Sequence, residues 1–185
     1  MAIYQYNIDF FPRQSIVDKF GQIPTHLFID HDAHEKHWEK DLDADYDFED
    51  ALTIRWWEKV NSKFTDIEPL IDAFTKPIEW SKKYTDSRSY GDNDTNDIYF
   101  ALTTEGFIDE FSCRIDLRSL DKRFIENLFK IALRLDCLIM DRKGNLFEPT
   151  FDKFVENVRL SNSFKFVNNP TDFLDKLASG EIKPE

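Results

Sequence analysis

The sequence is poor in residues that identify several well-known classes of protein. Its five glycines are isolated from one another, which excludes a glycine-rich loop of the kind that cradles phosphate groups. Its two cysteines, Cys113 and Cys137, form neither a CxxC pair nor a disulfide framework, and their apolar surroundings predict buried thiols. No catalytic sequence motif is present either. Ser112, for example, lacks the G-x-S-x-G context of a hydrolase nucleophile.

Long hydrophobic runs are also missing. The apolar stretches are short and interrupted by charge, so no segment is expected to cross a bilayer. The N-terminal residues MAIYQYNIDFF lack a basic segment followed by an apolar run, so we expect no secretory signal there. Together with the small number of cysteines, these absences predict a cytoplasmic location.

An excess of basic residues is the third absence. The chain carries 36 acidic and 24 basic side chains, for a net charge of −12. Ten of the acids and two lysines lie in residues 30–50, here named the acidic segment, which therefore holds −8 of the net charge. Nucleic acids and anionic membranes both require a basic surface, so we expect neither of them as a direct partner. A basic protein is the partner that such a segment would attract.

The apolar residues that are present suffice for a substantial core, since they make up 41% of the chain and include 18 phenylalanines. Alternating apolar residues from Tyr4 to Phe10 predict a strand, and Glu105-Gly106 separates two alternating stretches as in a hairpin. Other apolar residues recur at helical spacing, as in 122–135. We expect an α+β fold, with a mixed or mainly antiparallel sheet and helices packed on it, in a single compact domain.

The order of these patterns divides the domain into three parts. Residues 1–80 are predicted to hold a β-α-β unit, whose second strand is at 25–29, followed by two helices, the first of them at 48–63. Residues 81–97 are polar and rich in turn-forming residues, which predicts a long loop. Residues 98–185 are predicted to form a ββαββα unit, followed by a short strand with the sequence FKFV and a last helix.

Large aromatic and charged side chains within these elements have ordinary structural interpretations. Trp56, Trp57 and Trp80 are expected in the core, although adjacent residues on one helix cannot both face inward, so one of the first two would border a groove. The second strand of the hairpin carries a row of charged residues that we expect to form a solvated sheet face, with an active site as the alternative: Glu110, Arg114, Asp116 and Arg118.

Three of the four histidines lie in the acidic segment at helical spacing. On a helix, His31, His34 and His37 would fan across about 120° of one face, where neighbouring members could share a divalent metal. The pattern is not the HExxH motif of zinc hydrolases. The alternatives are exposed histidines on a polar segment and a contact that responds to pH. We expect no obligatory cofactor, and a metal at these histidines is the alternative.

The carboxylates of the acidic segment do not match a calcium-binding loop. Asp41, Asp43 and Asp45 fall at loop positions 1, 3 and 5, but Tyr46 then takes the position that needs glycine, and Leu52 the position that needs a bidentate glutamate. The acids are instead interleaved with aromatic residues, which suits a docking surface or an acidic loop held down by its aromatics. The predicted partner-binding residues are Trp38, Asp41, Asp43, Asp45, Tyr46, Asp47 and Phe48.

Three functions remain after these exclusions. The first is a non-enzymatic interaction protein, of the inhibitor or immunity type, that binds a basic protein partner through the acidic segment. The second is a metal-dependent hydrolase that uses His31, His34 and His37. The third is a domain that binds a small ligand in a pocket lined by Phe and Trp, which sequence does not reveal. The absence of a catalytic motif favours the first.

Overall fold

The computed structural model describes residues 3–40 and 46–182, with Lys40 by its backbone only, and they form an α+β fold with one six-stranded sheet. The strand order is β2-β3-β4-β1-β5-β6, and every neighbouring pair is antiparallel. The predicted fold class, in a single compact domain, is confirmed. The strands are β1 (Gln5–Pro12), β2 (Ser87–Gly91), β3 (Asp97–Leu102), β4 (Ile108–Asp116), β5 (Cys137–Asp141) and β6 (Leu146–Phe147).

Helices surround this sheet, and none in the described residues is long and apolar enough to cross a membrane. The helix α4 shows how local sequence defines one of them: the Asp121 side chain accepts a hydrogen bond from the backbone N–H of Phe124 and caps the N-terminus. The helices are α1 (Arg13–Phe20), α2 (His31–Lys40), α3 (Glu68–Asp72), α4 (Lys122–Arg134), α5 (Phe151–Leu160), α6 (Asn162–Asn168) and α7 (Pro170–Ala178), with 3-10 turns at Phe64–Asp66 and Glu79–Lys83.

One face of the sheet is apolar and forms the centre of the core. Phe111 on β4 lies between Phe10 on β1 and Phe100 on β3, with ring centroids 3.9 and 4.4 Å away and nearly parallel planes. All three rings are buried, and residues of α4 and α5 belong to the same core cluster. The alternation of Tyr4–Phe10 and of the hairpin strands places these rings on one side, as the period of two requires.

The other face of the sheet is polar where β1, β3 and β4 meet. Gln5, Asn7 and Asp9 of β1 are paired in register with Asp116, Arg114 and Ser112 of β4, so their side chains share this face. The three β1 side chains are nevertheless buried, which means that β1 is covered on both sides. Part of the cover is the loop after β2, where the Gln5 amide donates hydrogen bonds to two backbone carbonyl oxygens.

The predicted helix at 48–63 is absent, and the segment is a series of turns. The carboxylate of Asp50 accepts hydrogen bonds from the backbone N–H groups of Leu52 and Thr53, a local arrangement that competes with helical hydrogen bonding. Outside a helix, neighbouring side chains can both point inward. Trp56 and Trp57 are therefore both buried, and their indole N–H groups donate to backbone carbonyl oxygens.

Three other segments differ from the sequence-based expectation. The polar stretch 81–97 contains the edge strand β2, because Tyr90 is buried while its neighbours pair with β3. At 25–29 there is only an isolated bridge between His26 and Asn145. The FKFV sequence belongs to α6 and is not a strand, since the Ser161 hydroxyl accepts a hydrogen bond from a backbone N–H and caps this helix.

Candidate functional site

Helix α2 places the three histidines proposed as metal ligands in three different environments. His31 is exposed, whereas His37 is half-buried and stacks on the ring of Tyr46 with centroids 4.3 Å apart. His34 is buried, and its Nε2 lies 2.8 Å from Oδ2 of Asp50. A spacing of three residues rotates successive side chains by about 60° around the helix, so each ring meets a different neighbour.

Asp50 is the residue that attaches α2 to the segment after it. Its Oδ2 accepts from the backbone N–H of Asp30 at 2.9 Å as well as from His34, and its Oδ1 accepts from Leu52 and Thr53 at 2.9 and 3.1 Å. Burial raises the pKa of Asp50, but these hydrogen bonds outweigh it and hold the pKa below its ordinary value. The carboxylate is therefore ionised at neutral pH and fully hydrogen-bonded.

Aromatic rings pack around the His34–Asp50 pair. The ring of His34 lies edge-on to Phe48 and Tyr46, with centroid distances of 4.8 and 5.5 Å, and the ring of Trp38 is 6.3 Å away. Phe48 is half-buried, whereas Trp38 and Tyr46 are 59% and 45% exposed. The structure thus brings three of the predicted partner-binding aromatics to one place, with two of them accessible.

The acids predicted for the same surface are only partly described. Asp47 is exposed between Tyr46 and Phe48. The predictions for Asp41, Asp43 and Asp45 concern residues that lie outside the described part of the chain. The described part of this predicted surface therefore consists of Asp47 and the aromatic rings around His34.

Phe28 is an exposed aromatic residue that the sequence patterns did not identify as functional. The sequence placed it in a predicted strand at 25–29, whereas it lies outside any strand and its side chain is 66% exposed. Its carbonyl oxygen accepts from the backbone N–H of Ala51, next to Asp50. Phe28 and Trp38 are the two most exposed large apolar side chains among the described residues. We name Phe28, Trp38, Tyr46 and Asp47 the α2 surface.

The described residues contain no group of three or more His, Cys, Asp or Glu side chains that could hold a metal ion. The fourth histidine, His26, is apart from the others, and its Nε2 lies 2.7 Å from the carbonyl oxygen of Lys143. Because Asp50 engages Nε2 of His34, only the other ring nitrogen is left for a metal. The metal site at His31, His34 and His37 stays a prediction.

A second candidate site is a cleft of about 280 Å³ on the polar face of the sheet. Trp80, which the sequence placed in the core, is 48% exposed and lines this cleft, because its 3-10 turn lies beside the edge strand β2. Apart from Ile8, Ile98 and Cys113, the rest of the lining is polar and comes from four strands and two loops: Asn7, Ser89, Asn93, Asp97, Tyr99, Ser112, Arg114 and Arg142.

The two guanidinium groups of the cleft are held differently. Arg114 forms two hydrogen bonds to the carboxylate of Asp97. Arg142 approaches Asp9 to only 3.6 Å, and both Oδ2 of Asp9 and Nε of Arg142 are buried without a hydrogen-bond partner. Burial raises the pKa of Asp9, and the charge of Arg142 offsets this only in part. The alternation of β1 indicates a polar face, but nothing in the sequence indicates that Arg142 would reach it.

Comparison of this chain with models of protein families, with curated proteins and with solved structures finds no match.

Proposed function

We propose that the protein is a non-enzymatic interaction protein that binds a basic protein partner through the α2 surface. The observation that carries this proposal is the exposure of Trp38 and Tyr46, which both pack against the ring of His34, together with that of Phe28, which precedes α2 in the chain. Aromatic side chains of this kind are enriched at the centres of protein interfaces, where they supply most of the binding energy. In solution their exposure is unfavourable, so a partner that covers them gains their burial.

Charge supports a basic partner. The acidic segment carries −8 of the net charge of −12, and it includes the whole of α2. Such a concentration of one sign of charge accelerates the encounter with a positively charged protein and disfavours acidic ones. The same charge opposes direct contact with nucleic acid, so we propose a protein partner rather than DNA or RNA.

The base of the α2 surface is rigid enough to present its aromatics in fixed positions. Two hydrogen bonds to Asp50, one from the backbone N–H of Asp30 just before α2 and one from His34, join α2 to the segment after it, and His34 packs against the rings of Tyr46 and Phe48. A surface that is ordered before binding loses less conformational entropy in the complex. In finer detail, we propose an inhibitor or immunity-type role in the cytoplasm, in which the covered partner loses its activity.

The first experiment identifies the partner and measures its affinity. The immobilised protein is incubated with lysate at about 0.05 M salt, retained proteins are eluted by a gradient to about 0.5 M, and the purified candidate is titrated by calorimetry. We expect a basic protein whose affinity falls as salt rises. The single variants Trp38→Ala and Phe28→Ala are expected to weaken the measured affinity by about tenfold or more. Leu133→Ala is the matched control, since Leu133 on α4 is 58% exposed and outside the surface.

A second set of variants separates charge from contact. Neutralising Asp41, Asp43, Asp45 and Asp47 to asparagine is expected to lower the association rate and the salt dependence together. A control with the same change in net charge neutralises four acids elsewhere, namely Glu105, Asp152, Asp175 and Glu181. If the variant with four neutralised aspartates and the control variant bind the partner equally well, the proposal is wrong. It is also wrong if the affinity is independent of salt.

A further inference from the structure

The cleft on the polar face of the sheet has no role in the proposed partner binding. It lies across β1, β2, β3 and β4, and its lining combines Trp80 and polar side chains with three apolar residues, Ile8, Ile98 and Cys113. Its volume of about 280 Å³ is just below the range of about 300–1,000 Å³ typical of small-molecule sites. The size therefore suits a ligand built on a single ring.

The polar groups behind this cleft are not fully used within the protein. Nε of Arg142 and Oδ2 of Asp9 are buried and make no hydrogen bond, although other atoms of Arg142 line the cleft. A buried donor and a buried acceptor without partners each destabilise the folded protein. Arg142 lines the cleft, so its guanidinium group can donate hydrogen bonds to a ligand that carries acceptor groups.

The charges around the cleft select against ions. Arg114 is neutralised by its two hydrogen bonds to Asp97, and Arg142 faces Asp9. An anion would approach two carboxylates, and a cation would approach two guanidinium groups, so neither gains a net attraction. Hydroxyl groups suit this environment, because each one both donates and accepts, and the hydroxyls of Ser112 and Tyr99 in the wall do the same.

Trp80 supplies the remaining element of such a site. Its ring is 48% exposed, and the edge contact with Tyr84, at 6.2 Å and 78°, holds it in place. The face of an indole ring offers apolar area to the C–H groups on one side of a sugar ring, while the hydroxyls of the sugar are left free to reach polar groups. A site with an exposed tryptophan next to buried hydrogen-bonding groups therefore complements both the apolar face and the hydroxyl groups of a sugar.

We propose that this cleft binds a neutral, polyhydroxylated ligand of monosaccharide size, which stacks on Trp80 and is hydrogen-bonded by Arg142 and the polar wall of β3 and β4. The site is separate from the α2 surface and does not depend on it. A single stacked ring with a few hydrogen bonds is expected to bind weakly, with a dissociation constant of the order of 1 mM.

The test is a titration of the ¹⁵N-labelled protein with D-glucose, D-galactose, D-ribose and myo-inositol, each to about 20 mM, followed by amide chemical-shift changes. We expect saturable shifts for at least one of them, located at β3, β4 and the turn that carries Trp80. Glucosamine and glucose 6-phosphate serve as charged counterparts and are expected to bind at least several-fold more weakly than the neutral sugar.

Two tryptophan variants make the assignment specific. Trp80→Ala is expected to abolish the saturable shifts or weaken them at least tenfold, and Trp38→Ala, which removes a comparably exposed indole from α2, is expected to leave them unchanged. Tyr99→Phe tests the wall by removing one hydroxyl with little change in shape.

The outcomes that overturn the proposal are distinct from those for the partner. If no neutral sugar gives saturable shifts, the unpaired groups of Asp9 and Arg142 hold only water. If only the phosphate ester or the amine binds, the cleft is an ion site. If binding survives Trp80→Ala, the stacking surface is elsewhere. None of these results affects the partner titrations, which depend on Trp38 and Phe28.

Discussion

Replacing Asp50 with asparagine tests how the α2 surface is held in place. The carboxylate accepts four hydrogen bonds, two at each oxygen. In the asparagine side chain one of these oxygens becomes an NH₂ group. If the amide oxygen faces Leu52 and Thr53, the NH₂ group faces the N–H of Asp30 and leaves it without an acceptor. The reverse orientation leaves two backbone N–H groups unsatisfied, so the first is preferred.

The expected loss of stability follows from this geometry. One buried N–H without a partner costs about 1–3 kcal/mol, and the bonds that remain lose the assistance of the negative charge. We expect a total of about 3 kcal/mol, which at an m value of about 2 kcal/mol/M lowers the urea midpoint by about 1.5 M. Asp47→Asn, at an exposed position of the same segment, is the control and is expected to change stability by less than about 0.5 kcal/mol.

The pH dependence of the same variant provides an independent check. The folded-state pKa of Asp50 is lowered, so its stabilising contribution is present above the unfolded-state pKa of about 4 and is lost as pH falls through the folded-state value. The difference between the wild-type protein and Asp50→Asn should therefore be constant near neutral pH and shrink below about pH 4. A midpoint shift no larger than that of Asp47→Asn would refute the assignment of Asp50 as the attachment point.

Three further predictions concern the core, a turn and the polar face. Phe111→Ala removes the middle ring of the stack with Phe10 and is expected to cost about 3–5 kcal/mol of unfolding free energy in denaturant titrations. Gly144→Ala places a Cβ 2.1 Å from the carbonyl oxygen of Leu27 at a φ of +85°, so we expect a fall in melting temperature of several degrees. Asp9→Asn removes a carboxyl whose pKa is raised by burial. The wild type should therefore lose more stability than the variant as pH rises from about 4 through the folded-state pKa, as measured by urea unfolding across pH 4–8, while Asp97 and Glu110, whose pKa values are also raised by burial, titrate in both proteins.

Each of these variants has a matched comparison. Leu133→Ala shortens an exposed side chain and should have little effect on stability. If Phe111→Ala costs no more than Leu133→Ala, the stacked ring does not contribute to stability as expected. Gly21→Ala has a similarly positive φ with open space around it, so the excess cost at Gly144 measures the clash with the Leu27 carbonyl oxygen and the His26 ring. Parallel pH profiles for Asp9→Asn and the wild type would mean that Asp9 is not a buried titrating group.

The sequence predicts those parts of the fold that are determined by local periodicity. The alternation in β1, β3 and β4 and the helical spacing in α4 arise from residues that are near neighbours in the chain, so the strands, the hairpin and the helix follow from them. Local periodicity does not determine the structure of the segment at 48–63. Its apolar residues have helical spacing, but the side-chain hydrogen bonds of Asp50 and the burial of both Trp56 and Trp57 determine the backbone instead.

The candidate sites depend on contacts that no local pattern records. The sequence predicts Trp38 and Tyr46 as partner-binding aromatics, which stays a prediction, and it contains no sign that His34 would be fixed by Asp50. Arg142, which lines the cleft, follows β5, and Asp9 lies in the first strand, so only the pairing of β1 with β5 brings them together. The exposure of Trp80 depends on the elements packed around it, whereas the large apolar side chain of tryptophan predicts burial.

The position of β1 in the middle of the sheet has a consequence for the order of events during translation. Of the six strands, β1 is made first, yet its nearer partner in the chain, β4, is about a hundred residues further along, and β5 comes later still. At typical ribosomal rates that delay is roughly 5–20 s, during which Phe10 and Phe11 have neither of their neighbouring strands. The nascent chain must therefore emerge as far as β4 before its first strand can be sequestered, and chaperones that recognise short aromatic stretches have that interval in which to bind it.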